Sequence, residues 1–230
     1  MQCVECGAPV AELYRRYPSG NTLLKSCPLC KQPADRYVEC SFLLVVLDLL
    51  LQKPQAYRHV IKNRRKVFSS SELSVQTLLR LTLLAYTAHA YLMLEQVRND
   101  CVLGKTFLES SSLNVFFVGL ARIIFADSVG VFCLLGIDTA CSSVRKAKKK
   151  NSLRDIVLGH VLANSLWTLS AVFIIWPCNP VYGCRVALVV DAVSNTVAYH
   201  AATGAPHLQT AFCVGGWLLL KETNRNISLK

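Results

Sequence analysis

The sequence predicts an α-helical multi-span membrane protein carrying a small N-terminal zinc ribbon with short β-hairpin knuckles. Three observations predict it. Cys3, Cys6, Cys27 and Cys30 form two C-x-x-C pairs. Four later stretches are apolar over about 20 residues, the length that crosses a hydrocarbon core. The formal net charge of +11 is concentrated in two runs that abut those stretches. The chain is 53% hydrophobic with a mean hydropathy of +0.37. That average covers a polar first forty residues and a remainder too apolar for a soluble surface.

Zinc takes four soft ligands at tetrahedral corners, and each C-x-x-C turn supplies two thiolates from one tight knuckle. The knuckles read Cys3-Val-Glu-Cys6-Gly7 and Cys27-Pro-Leu-Cys30. Gly7 permits the left-handed conformation that ends a knuckle, and Pro28 presets the other turn. The alternative is a pair of disulfides or free thiols. No secretory signal precedes Cys3, so the thiols are expected in a reducing compartment. Four cysteines fill the zinc shell and leave no open position for water, so the Zn2+ is structural. Residues 1–40 are then a cytosolic zinc ribbon folded by its metal, since so short a stretch holds little core unaided.

Residues 41–66 are read as an amphipathic, interfacial juxtamembrane segment. Phe42–Leu51 is apolar except for Asp48, too short to span and too greasy for water. The stretch after it suits the headgroup level, where the rings of Tyr57 and His59 and the long cation of Arg58 partition.

Residues 67–230 form the transmembrane domain, with spans over 73–94, 113–137, 156–176 and 186–203. A further run, 208–220, is too short to cross alone. The basic runs 53–66 and 145–154 belong on the cytosolic side, which also places the ribbon there. Basic runs beside a zinc module also occur in nucleic-acid-binding proteins, but their abutment to apolar spans favours anionic headgroups as the partner and no nucleic acid. The turn 177–185 then faces the lumen, where Cys178 and Cys184 are expected to form a small disulfide. Asn226-Ile227-Ser228 fits the glycosylation acceptor pattern, which is silent if four spans leave the tail in the cytosol.

Charges within spans are functional candidates. Arg80 lies near a span end and can snorkel. Arg122 lies mid-span, and Asp127, five positions on, is rotated off its face. Arg122 and Asp191 lie at similar depth on different spans and are expected to pair. Asp191 with Asn195, and His160 with Asn164, share helix faces at i, i+4. They line a polar seam for a lipid headgroup or bond across helices for packing alone.

The C-x-x-C pairs, the following Asp35, Tyr37 and Glu39, then Asp48-Leu49-Leu50-Leu51, Lys53 and Ala56-Tyr57-Arg58-His59 with Asn63, resemble the Arv family (ACAT-related protein required for viability). The resemblance is close over residues 1–63 and beyond that is to a hydrophobic body of similar size. One departure is Cys40-Ser41, where the family carries an aromatic and an acid. The resemblance implies a multi-pass protein of the endoplasmic reticulum membrane. It also implies roles in sterol homeostasis, in sterol and sphingolipid distribution, and in early GPI-anchor synthesis. The residues expected to contact lipid or membrane are Asp48, Tyr57, Arg58, His59, Asn63, Arg122 and Asp191.

No enzyme signature emerges. The five histidines lack metal-ligand spacing with one another, and no phosphate loop or nucleophile elbow is present. Asp48 and His59 are the best acid–base candidates of the N-terminal region, although helix capping or a bond to neighbouring backbone is the plainer role for Asp48. The expected function is therefore non-enzymatic: transport or distribution of sterol, with sphingolipid or GPI precursors as further cargo. The alternative is an anchored adaptor whose ribbon docks a protein partner, such as a lipid-synthesis complex.

Overall fold

A computed structural model describes residues 1–18, 20–63, 75–102, 112–144, 153–165 and 180–205, together with Thr210 and Gly215. The ribbon hairpin pairs β1 (Tyr14–Arg16) with β2 (Thr22–Leu24) in antiparallel register, Tyr14 opposite Leu24 and Arg16 opposite Thr22. Gly20, at φ +85°, closes the turn.

The two cysteine knuckles repeat one another. The amide of Cys3 donates to Ala8 O and that of Cys27 to Gln32 O, both at 2.8 Å. Gly7 N donates to Cys3 O, and Lys31 N donates to Cys27 O. A single bridge flanks each knuckle, Gln2 with Pro9 and Ser26 with Pro33. Gly7 takes φ +74° as its lack of a Cβ allows. In the second knuckle the left-handed residue is Lys31, at φ +62°, which occupies the place of Gly7. Pro28 opens the turn that Lys31 N closes onto Cys27 O, as expected.

A 3-10 turn at Arg36–Val38 follows, capped by Asp35, whose carboxylate accepts from Tyr37 N at 3.0 Å. Helix α1 (Phe42–Leu50) stops at Gln52, which is left-handed at φ +57°. Pro54 then opens α2 (Pro54–Arg58), its missing N–H falling where a helix needs none. A wider π turn, His59–Asn63, carries α2 onward.

Four longer helices make the body: α3 (Val75–Val102), α4 (Ser112–Val144), α5 (Leu153–Ser165) and α6 (Pro180–Thr203). Thr82 donates to Val161 O, and Tyr86 meets Asn164, so α3 and α5 run the same way. Gly159 lies against Ala198 and His160 against Asn195, so α5 and α6 are antiparallel. Asp127 of α4 sits beside Asn164, while Leu135 packs against the core nearer the ribbon, so α4 climbs toward the ribbon end. Successive helices therefore alternate in direction.

The ribbon is not a pendant module. Val4 and Tyr37 share one core with Val45 and Leu49 of α1, Tyr57, Val60 and Ile61, and Leu162 and Tyr199 of the body. Among the described residues, α4 alone is both long and apolar enough to cross a membrane, over Leu113–Phe132. Helices α3 and α6 overlie the first and fourth expected spans. Helix α5 covers the start of the third, and 166–176 lie outside the described residues, as does most of 208–220.

Candidate metal centre

The two knuckles bring all four cysteine sulfurs within 4.8 Å of one another. Cys3 Sγ lies 3.7 Å from Cys30 Sγ, and Cys6 Sγ lies 3.7 Å from Cys27 Sγ. A tetrahedral ion with bonds of about 2.3 Å to sulfur places its ligands about 3.8 Å apart. The residues therefore fit a tetrathiolate ion without rearrangement. Backbone amides are aimed at the sulfurs: those of Glu5 and Cys6 at Cys3, and those of Leu29 and Cys30 at Cys27. Burial pushes the Cys3 thiol up to about 12, whereas the Cys30 amide leads in drawing Cys27 down to about 7. A bound cation supplies the counter-charge that four thiolates in so small a space require.

Behind the knuckles lies a buried polar dock. Asp35 Oδ2 accepts from His59 Nδ1–H at 2.8 Å and from Asn63 Nδ2 at 2.7 Å. Asn63 also reads the backbone beside the first ligand: its Oδ1 accepts from Gln2 N at 2.9 Å and its Nδ2 donates to Gln2 O at 2.8 Å. Arg58 donates to Val4 O and Glu5 O within the first knuckle. Its other nitrogen faces His200 Nε2 at 3.2 Å. The Nδ1–H of His200 donates to Ala205 O, which leaves Nε2 to accept from the guanidinium. Arg58 thus ties the metal loop to the end of α6. Tyr37 Oη donates to Asp48 at 2.8 Å, and Lys53 Nζ donates to the other oxygen at 2.6 Å. The Lys53 bond leads in holding the Asp48 carboxyl below its usual range. Burial pushes the Tyr37 phenol up to about 12.

For Tyr57, Arg58, His59 and Asn63 these positions correct the expectation that they face lipid headgroups. Tyr57, His59 and Asn63 are at most 1% exposed. Arg58 spends its donors on knuckle carbonyls, and Asp48 is buried under Tyr37. The physical reason is packing: one face of α2 and its π turn lies on the ribbon and the other on α5 and α6, so little is left for solvent or lipid. Asp48 binds a phenol and a lysine, a more specific arrangement than a bond to nearby backbone.

Within the body, the polar seam forms. His160 Nδ1–H donates to Asn195 Oδ1 at 2.8 Å, and Asn164 Nδ2 donates to His160 Nε2 at 2.9 Å. Asn195 Nδ2 donates to Asp191 Oδ1 at 2.8 Å, and Asn164 Nδ2 reaches Asp127 Oδ2 and Tyr86 Oη at 3.2 Å. The expected pairing of Arg122 with Asp191 is not made. Arg122 is exposed on α4, while Asp191 is fully buried. Asp127, a little over one turn from Arg122, is the residue of α4 that turns inward. Tyr86 is a member that sequence reading missed, and Asp127 was singled out as an in-span charge but not placed in the seam; both needed the rotation of their helices to be known. Asp35 was legible only as part of a motif, although the i, i+4 spacing of His59 and Asn63 signals a shared polar partner. Cys178 and residues 221–230 lie outside the described residues, as do the disulfide and glycosylation expectations placed on them.

Fold and site together define a helical protein capped at one end by a tetracysteine ribbon that is built into its core. The chain belongs to the Arv1-like family, whose model matches residues 2–199. It is similar to protein ARV 1 of Arabidopsis thaliana, 27% identical over 205 residues covering 88% of this chain and 78% of that protein. Protein ARV 2 of the same plant is 38% identical over 112 residues, 47% of this chain and 48% of that protein. The arv1 homologue of Dictyostelium discoideum is 50% identical over 68 residues, 28% of each chain. The matched region thus spans about half of ARV 2 and a smaller share of the Dictyostelium protein. No solved structure matches.

Proposed function

We propose that this chain is a multi-pass protein of the endoplasmic reticulum membrane that takes part in moving or distributing sterol, with a structural zinc ion in its cytosolic ribbon. One observation carries the membrane placement: the body is apolar outside and polar inside. Leu79, Leu83 and Leu84 of α3, Phe117, Phe125 and Phe132 of α4, and Val186, Val189 and Val193 of α6 are exposed. His160, Asn164, Asn195, Asp127 and Asp191 are buried. Water selects the reverse arrangement; hydrocarbon selects this one. The alternating helices and the ribbon, at the end where the basic connector 145–150 joins α4 to α5, support the same placement. The lipid role rests on family membership, and sphingolipids and GPI precursors are further candidates on that ground.

A second reading, the anchored adaptor, is favoured by Leu29, 74% exposed at the tip of the second knuckle, and by Leu23 on the hairpin. Zinc-loaded protein reconstituted in vesicles, with a fluorescent sterol and acceptor vesicles, separates the two. Faster transfer supports the first reading. Unchanged transfer, with a co-purifying protein that a Leu29→Asp variant loses, replaces it with the second.

A further inference from the structure

Helix α1, the corner Leu51–Lys53 and α2 form a helical hairpin whose two arms share Val45, Leu49, Ala56 and Val60 in the core. Its return arm runs alongside α6. Gln52 Nε2 donates to Ser194 Oγ at 2.8 Å, Arg58 faces His200, and Lys62 donates to Ala202 O. The corner is therefore level with Ser194. The end of the π turn is level with Ala202, about 12 Å further along α6 at 1.5 Å per residue. The corner points away from the ribbon end and down the body.

The height of the hydrocarbon edge follows from α4. Its apolar window runs to Phe132 and the apolar run continues to Ile137, just before Asp138, so the edge lies about 7.5–15 Å beyond Asp127. Asp127 is level with Asn164, and Asn164 with Asn195, the neighbour of Ser194. The corner thus lies about 7.5–15 Å inside that edge, within one leaflet. The outer face of α1 matches the depth: Leu44, Leu47 and Leu51 form one stripe descending to the corner, all exposed, with Leu51 at 67%. Lys53 belongs to the corner itself, where it is paired with Asp48, while the exposed Arg36 lies before α1 on the ribbon side of the hairpin, where a long cation reaches phosphates.

We propose that the α1–α2 corner is a re-entrant wedge that enters the bilayer leaflet on the ribbon side. Leu47 and Leu51 lie among acyl chains, and Arg36 lies at anionic phosphates. The wedge crosses nothing and occupies one leaflet only. It rests on the reading above, that the body spans the membrane.

A photo-crosslinking amino acid placed singly at Leu51, Phe125 or Leu23, in full-length zinc-loaded protein in phosphatidylcholine–phosphatidylserine vesicles, tests it. Lipid adducts at Leu51 and Phe125, with none at Leu23, are expected. Adducts at Phe125 without any at Leu51, or a Leu51 crosslink to a second copy of the chain, overturn the wedge and leave the membrane placement standing. Adducts at Leu23 as strong as at Leu51 mean that the whole ribbon face meets lipid, which also overturns it. No adduct at Phe125 removes the placement itself, and the wedge with it.

Discussion

Replacing Asn63 by alanine tests whether the metal ribbon is held by the helices or stands alone. Asn63 is fully buried and makes three hydrogen bonds: to Gln2 N, to Gln2 O and to Asp35 Oδ2. Truncation strips a partner from two backbone groups and one carboxylate oxygen. A buried group left unpaired costs about 1–3 kcal/mol. Gln2 is half-buried and recovers part of that from water, and Asp35 keeps His59, so the net loss is about 3 kcal/mol. Against a typical stability of about 5–15 kcal/mol, that is a large fraction. Because Gln2 adjoins Cys3, the loss falls on opening of the first knuckle. At about 1.4 kcal/mol per factor of ten, zinc should transfer to a competing chromophoric chelator about a hundredfold faster. Gln2→Ala is the control: the bonds run to its backbone, so the variant should keep the wild-type rate. Wild-type zinc release and melting temperature in Asn63→Ala would refute the reasoning, since they would show that the dock contributes nothing to the ribbon.

Two further outcomes follow. At Gly159 an added Cβ would lie 3.3 Å from Ile61 Cδ1 and 3.4 Å from Ala198 O. Gly159→Ala should be accommodated by a small shift of Ile61, whereas Gly159→Leu should pry α5 from α6 and the π turn at about 1–3 kcal/mol, read as a lowered melting temperature in detergent. For the ribbon, metal must displace the protons that thiols hold, above all at Cys3, where burial favours the protonated form. Zinc affinity should therefore rise with pH across neutrality, and loading the stripped protein should release protons into unbuffered solution; a pH-independent affinity would contradict thiolate ligation.

How much was legible varies by element for physical reasons. The cysteine cluster was readable because C-x-x-C spacing is local: a knuckle needs only its own few residues, and the second pair has one partner to find. The helical stretches were readable for a similar reason, since long apolar runs leave few alternatives. Lys31 was not, because nothing in its chemistry marks a lysine for the left-handed region; the symmetry of the two knuckles places it there.

The juxtamembrane segment shows the limit most clearly. Tyr57, Arg58, His59 and Asn63 have the composition of an interfacial helix, and the same composition serves a helix clamped between a ribbon and a bundle. Side-chain chemistry states what each residue can bond; it does not state whether lipid or protein arrives to bond it. Arg122 and Asp127 make the same point within one helix: five residues apart, one faces out and the other in, according to a rotation that only the packing of α4 against α3 and α5 decides. Local spacing settled the cysteine cluster and the presence of helices, because those depend on neighbours in sequence. Which polar groups are buried together depends on neighbours in space, and was settled when the ribbon, α2 and α6 closed on one core.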